Sequence, residues 1–154
     1  MDVKHINPFL DSILTIMPQL GFKDIKKQGI SIKDNQIKSL GVMLTVGIVG
    51  DIKGNVIYGM SIDSAKQIAS IMMMGATVDE FDEIPQSALS ELSNMLTANA
   101  GINFSNMGIN INISTPALMY GSDFEVKMNV DKILCIQLLI GDIPMEVNIG
   151  IEQR

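Results

Sequence analysis

The chain is predicted to be an α+β protein, a two-layer α/β arrangement with long helices packed on a largely antiparallel sheet. Three observations carry this. Two long segments, near residues 7–21 and 82–104, repeat apolar residues at helical spacing. Two nearly continuous apolar runs, 40–49 and 133–140, are each followed by a Gly-Asp turn and an alternating strand. The two strand pairs also match at a constant offset of 91: Val49-Gly50-Asp51-Ile52 leads to Val56, Tyr58 and Met60, and Ile140-Gly141-Asp142-Ile143 leads to Val147, Ile149 and Ile151. The expected organisation is one domain over 1–154, built of two helix-plus-strands units related by a pseudo-twofold. The first unit covers about 5–62, a connecting helix about 63–76, and the second unit about 82–152.

Asn7-Pro8 reads as a helix cap followed by proline at the first helical position. Phe9, Leu10, Ile13, Ile16, Met17 and Leu20 follow at helical spacing, and Gly21 closes the segment, with Pro18 distorting its last turn. A weaker extended stretch spans Ile25 to Ile32, and Asp34-Asn35 marks a turn. Leu40 to Val49 reads as a strand buried on both faces or nearly so; residues 50–54 turn the chain, and a second strand runs from Asn55 to Ser61. Ser61 or Asp63 can cap the connecting helix, whose methionines (Met72, Met73, Met74) suit an adaptable core before Gly75. The acidic run Asp79-Glu80-Phe81-Asp82-Glu83 lacks the spacing and glycine of a calcium loop. It fits the start of a helix, with Asp82 as cap and Pro85 in the first turn. Beyond that helix Ile109, Ile111 and Ile113 alternate with polar residues until Pro116. Further strands are expected at Phe124–Val130, Ile133–Ile140 and, after Gly141–Pro144, through Val147, Ile149 and Ile151. Cys135, mid-strand, reads as an inert core thiol.

Composition excludes several kinds of chemistry. Of 154 residues, 47% are hydrophobic and 18% charged, against about 25% charged in an average domain, so there is ample apolar surface for a core. A net charge of −6 argues against a nucleic-acid partner. One His and one Cys cannot supply a Cys/His zinc site, a disulfide or a CxxC centre, and His5, near a terminus that frays, is a poor triad member. No phosphate-binding, dinucleotide-binding or HExxH motif occurs. The single Cys, the lack of a signal-peptide pattern and the lack of an 18-residue apolar stretch point to a soluble cytoplasmic protein without membrane insertion.

The second long helix carries the functional signal. At 100° per residue, Ala88, Leu89, Leu92, Met95, Leu96 and Ile102 gather on one side. Ser87, Ser90, Glu91, Asn94, Thr97, Ala98 and Gly101 gather opposite, with Asn99 and Asn103 inside the apolar sector as core or helix-end amides. Glu91 and Asn94, three residues apart, are neighbours on a face otherwise small and smooth. Such a face suits close docking of another protein. An ordinary surface helix with short side chains has the same wheel.

Glu91-Leu92-Ser93-Asn94-Met95, with Ser87 four residues before the Glu and Pro116 some two dozen after the Asn, resembles the phosphatase signature of the CheC/CheX/FliY family. The segments Gly47–Tyr58 and Ile71–Gly75 are similar to its CheX branch. The resemblance implies dephosphorylation of a phosphorylated CheY-type receiver in chemotaxis, a helix-on-sheet fold with internal pseudo-symmetry, and a homodimer built through strand pairing. CheX carries the Glu/Asn pair on one helix only. A rough overlay sets Asp11 and Leu14 of the first helix at those positions, in keeping with that pattern.

By the same resemblance, Asn94 would hold a water in line with the phosphorus, accepting one hydrogen bond and donating another. Glu91 would anchor the docking by pairing with the receiver's lysine, and Ser87, Ser90, Ala98 and Gly101 would let the helix approach closely. The expected enzyme has no metal or cofactor of its own, Mg²⁺ being supplied by the receiver. A non-catalytic adaptor of the flagellar switch or of a signalling complex could use the same fold, as could an obligate structural subunit. The Asn94 amide distinguishes the enzyme from the adaptor, and a structural subunit would not respond to phosphorylation of the receiver.

Overall fold

A computed structural model describes residues 3–153; Met1, Asp2 and Arg154 of the expected 1–154 domain lie outside it. A 3-10 turn, Val3–His5, runs directly into helix α1, Ile6–Gln19. The helix therefore starts ahead of Asn7, which does not cap it, and Pro8 sits within the first turn, where a missing N–H is tolerated. At the other end Gly21 adopts φ +98°, and Gly21 N and Phe22 N donate to Pro18 O and Met17 O, each at 3.2 Å. A left-handed glycine thus stops the helix as expected.

The strands are β1 (Ile25–Lys33), β2 (Gln36–Lys38), β3 (Val42–Gly50) and β4 (Ile52–Met60), then β5 (Ile111–Ile113), β6 (Ala117–Tyr120), β7 (Glu125–Lys127), β8 (Ile133–Ile140) and β9 (Ile143–Gln153). Between β4 and β5 lie α2, Ile62–Met72, and α3, Glu83–Ser105. Both apolar hairpins turn on Gly-Asp, so β4 begins at Ile52, three residues earlier than the alternation suggested. Ser61 caps α2, accepting from Ser64 N at 3.0 Å. Met74, expected in the core, is 97% exposed, because the chain turns left-handed there (φ +60°) before Gly75.

One seven-stranded sheet runs β1-β8-β9-β4-β3-β5, with β6 also on β3, and every pair in it is antiparallel. All three helices lie on one face of it. Phe9, Ile13 and Met17 of α1, Ile68 of α2, and Leu92, Leu96 and Phe104 of α3 pack with Val46, Val56, Ile136 and Val147. The other face is partly covered by a small layer that the sequence reading did not foresee. There β2 pairs with β7, and Ile37, Met128 and Val130 pack on Met43, Ile57 and Ile133. This second core explains why β3 is apolar on both faces. The expected strand at 124–130 shortens to β7, because Met128 and Val130 leave the ladder to fill that core.

At the centre of the sheet, β4 pairs with β9. Ile57 stands opposite Asn148, a separation of 91 residues, the offset between the two hairpins. Asn148 Nδ2 donates to Ile57 O at 3.2 Å. Lys33 Nζ bonds Glu146 Oε1 and Asn148 Oδ1, both at 3.1 Å, and the buried Cys135 thiol donates to Glu146 Oε2 at 3.6 Å. Cys135 lies in the core as expected, and burial, and then the Glu146 charge, push its thiol up in pKa.

The β4–β9 seam is tight. A side chain at Gly54 would run into the carbonyl oxygen of Gly150. Replacing Gly54 by alanine should therefore cost roughly 1–3 kcal/mol, as overpacking does. Urea denaturation measures this, and an unchanged midpoint would show that the seam has slack.

Candidate functional site

Helix α3 buries Pro85, Leu89, Leu92, Ser93, Leu96, Thr97, Ala100 and Phe104. Two residues therefore sit opposite to where the wheel puts them: Thr97 is fully buried, and Ile102 is 59% exposed. Thr97 can be buried because its hydroxyl, like that of Ser93, finds a partner. Thr97 Oγ1 donates to Ser93 O at 2.7 Å, which uses its one proton; Tyr58 OH, 2.8 Å away, donates to it in turn. Ser93 Oγ donates to Ser90 O at 2.9 Å, and Ser12 Oγ of α1 donates to Leu96 O at 2.6 Å. Burial pushes the Tyr58 hydroxyl up in pKa against a smaller opposing effect of its Thr97 bond, so it remains a donor. Asn103 Nδ2 donates to Pro8 O at 2.9 Å, making it the helix-end amide anticipated for that position.

The outer side of α3 opens on a groove of about 490 Å³. Glu83, Gln86, Ser87, Ser90, Glu91 and Asn94 line it from the helix, and Thr115, Pro116 and Leu118 line it from the β5–β6 side. Glu91 and Ser87 are exposed, while Asn94 and Ser90 are half-buried. The motif residues Ser87, Glu91, Asn94 and Pro116, scattered over thirty positions, thus share one concavity. Ala98 and Gly101 do not line it. Ala98 is exposed one turn further along, and Gly101 faces β5, where a Cβ would meet Ile111 at 3.6 Å. Gly101 permits helix–sheet contact inside the molecule.

Both walls of the groove are held in place. Ser114 N donates to Gly47 O at 2.9 Å and Gly47 N to Ser114 Oγ at 2.7 Å, which pins the segment before Pro116 to β3. At the helix start, Asp82 stands at the cap without a side-chain bond, and Gln86 Nε2 donates instead to Phe81 O at 2.8 Å. The Phe81 ring meets Tyr120 of β6 edge-on at 6.0 Å, joining the two walls.

The charged groups of the groove are Glu83 and Glu91, both acidic, and the chain carries no Lys or Arg between Lys66 and Lys127. The face therefore favours a cation from a partner. Gln86, Thr115 and Leu118 were not singled out from the sequence. Only their nearness to Ser87 and Pro116 could have marked the first two. His5, expected to fray, is buried, its ring 5.8 Å from Phe104. Phe104 lies ten residues beyond Asn94, roughly 15 Å along the helix. On α1, Asp11 and Leu14 are exposed, so the counterpart position offers a leucine in place of an amide. Among the described residues no three of His, Cys, Asp or Glu converge on one point, and no helix is long and apolar enough to cross a membrane. The groove thus offers an amide, a carboxylate and small hydroxyls on a rigid helix, a set able to orient a partner and a water molecule.

The CheY-P phosphatase CheX of Thermotoga maritima is 28% identical over 128 residues, covering 82% of each chain. A CheC-like superfamily protein from Shewanella sp. PV-4 has the same fold, with a TM-score of 0.86 at 26% identity over 99% of both chains. A chain of the CheX–CheY–BeF3–Mg²⁺ complex from Borrelia burgdorferi gives a TM-score of 0.84 at 25% identity, covering 99% of this chain and 100% of that one. The profile described as chemotaxis phosphatase CheX matches residues 42–139, which include β3, β4, α2, the whole of α3 and Pro116. By that match, the chain belongs to the CheX family of chemotaxis phosphatases.

Proposed function

We propose that this protein hydrolyses the aspartyl phosphate of a CheY-type receiver by presenting the Asn94 face of α3 to the receiver's active site. The observation that carries the reading is the groove in which Glu91, Asn94, Ser87 and Pro116 meet, on a chain of the CheX family. An aspartyl phosphate is already activated, so what an accelerating partner must contribute is placement of the attacking water. The Asn94 amide can accept one hydrogen bond from that water and donate another, holding it in line with the phosphorus. Glu91 pairs with a lysine of the receiver and fixes the docked orientation, while Ser87 and Ser90 keep the approach close and Ala98 extends the smooth face. Gly101, turned toward Ile111, serves the helix–sheet contact.

The metal belongs to the receiver in this reading. The Borrelia relative forms a complex containing CheX, CheY, BeF3 and Mg²⁺, and the groove of the present chain offers only the carboxylates of Glu83 and Glu91. When bound at the receiver, Mg²⁺ draws charge from the phosphoryl oxygens. The work left to this chain is geometric. A cytoplasmic location accompanies such a partner.

Two further features belong to the same reading. Exchanging the halves (β1 with β5 and β6, β3 with β8, β4 with β9) reproduces the strand order in reverse, which supports the pseudo-twofold relation. Strand β1 is an edge of the sheet, with Ile30 and Ile32 44% and 67% exposed, and this favours a homodimer paired through that edge. Sedimentation equilibrium at micromolar concentration should return the dimer mass; a monomer would remove the dimer from the reading.

Replacing Asn94 by alanine should lower the accelerated decay of a phosphorylated receiver by about 100-fold or more, leaving the receiver's own rate and an unchanged melting temperature. Full activity in that variant would end the assignment of Asn94. Replacing Glu91 by alanine should raise the half-saturation concentration about tenfold and change the maximal rate little, since a lost charge-assisted contact acts mainly on binding. If the intact protein binds a beryllofluoride-loaded receiver without speeding decay of the phosphorylated form, the adaptor reading takes over.

A further inference from the structure

We infer that Tyr58 and Thr97 are positioning residues for Asn94, holding the amide in register for the reaction through a buried chain of hydrogen bonds from the central sheet. The inference rests on the phosphatase reading above and concerns residues that lie outside the ExxN signature. Apolar contacts along Leu89, Leu92 and Leu96 hold α3 against the sheet, but they are not directional. Hydrogen bonds are directional. Tyr58 stands on β4 at the centre of the sheet and donates to Thr97 Oγ1 at 2.8 Å. Thr97 Oγ1 donates at 2.7 Å to Ser93 O, the carbonyl of the peptide unit that contains the Asn94 nitrogen. Two hydrogen bonds therefore connect a fully buried strand position to the backbone of the residue that holds the water.

A second tether reaches the same turn from a different element: Ser12 Oγ of α1 donates to Leu96 O at 2.6 Å. Within the helix, Ser93 Oγ donates to Ser90 O at 2.9 Å. The carbonyls of residues 90, 93 and 96 thus all receive side-chain hydroxyls, while Asn94 lines the groove from the same two turns. Hydroxyls bonded to helix carbonyls set local bend and rotation. Placement of a reacting water tolerates little error, a 1 Å displacement costing about 100-fold.

Three variants test this: Tyr58→Phe, Thr97→Val and the two combined, each assayed for maximal rate, half-saturation and melting temperature on a phosphorylated receiver. Each single variant should lower the maximal rate about fivefold to tenfold with half-saturation within twofold, because docking through Glu91 is untouched. Thr97→Ser, which keeps the hydroxyl, should restore the rate. In the combined variant both polar partners are gone, so no buried hydroxyl is stranded and the melting temperature should return toward the parent value. The rate should stay low. Recovery of the rate together with stability would overturn the inference and leave Tyr58 and Thr97 as structural residues. An intact protein that fails to accelerate decay at all would instead defeat the phosphatase reading on which the inference rests.

Discussion

The two apolar hairpins are far apart in the chain, and pairing of β4 with β9 is what brings them into one sheet. Both strands are flanked on their other sides by their own hairpin partners, β3 and β8, so this seam is buried within the sheet rather than exposed at an edge. Its closeness depends on Gly54 facing the backbone at Gly150, and on Asn148 bonding the carbonyl of Ile57 across the strands. Helix α3 rests on β3, β5 and β6, α2 on β9 and α1 on β8. Without the seam neither hairpin would present α1 and α3 with a continuous apolar floor. Such long-range pairing carries a loop-closure cost that local contacts do not offset, and the extensive core on both faces supplies the compensation.

The groove follows from the same arrangement. Its one wall, α3, is tied to the centre of the sheet through Tyr58 and to α1 through Ser12; its other wall, before Pro116, is pinned to β3 through Ser114 and Gly47. In the function proposed above, where the protein's part is to place a water in a partner's active site, it has little chemistry of its own to supply and must contribute shape. Rigid attachment on both sides suits that task, as does the absence of Lys and Arg from residue 67 to residue 126, which leaves the face acidic toward an incoming cation.

Much of this was legible in the residues. Helices α1 and α3, the hairpins, the Ser61 cap and the grouping of Ser87, Glu91 and Asn94 follow from periodicity, turn chemistry and a motif whose spacing matches the helix. The errors have specific causes. Thr97 and Ile102 exchange faces because a wheel weighs polarity alone, whereas a threonine whose proton goes to its own helix and whose lone pair meets a tyrosine is satisfied in the core. Short strands β2 and β6 carry too few residues for an alternation to register, and Met128 and Val130 look like strand residues while serving the second core. His5 lies near the chain's start, where fraying is the ordinary expectation, yet it is held by its packing on Phe104.

What local chemistry governs could be read from the linear chain: where helices begin and stop, where glycine allows a turn, which residue types stand together on one helix face, and which metal and thiol reactions the composition cannot support. What depends on partners distant in sequence required the folded chain. The joining of Pro116 to Asn94, the turning of Gly101 inward to Ile111, the second core behind β3 and the hydrogen-bond path from Tyr58 to the Asn94 backbone all arise between segments far apart. A side chain's own pattern records its preference for burial or for water. Which neighbour satisfies that preference is settled only when the strands and helices have packed, because hydrogen bonds and close contacts act over a few ångströms in space and are indifferent to separation along the chain.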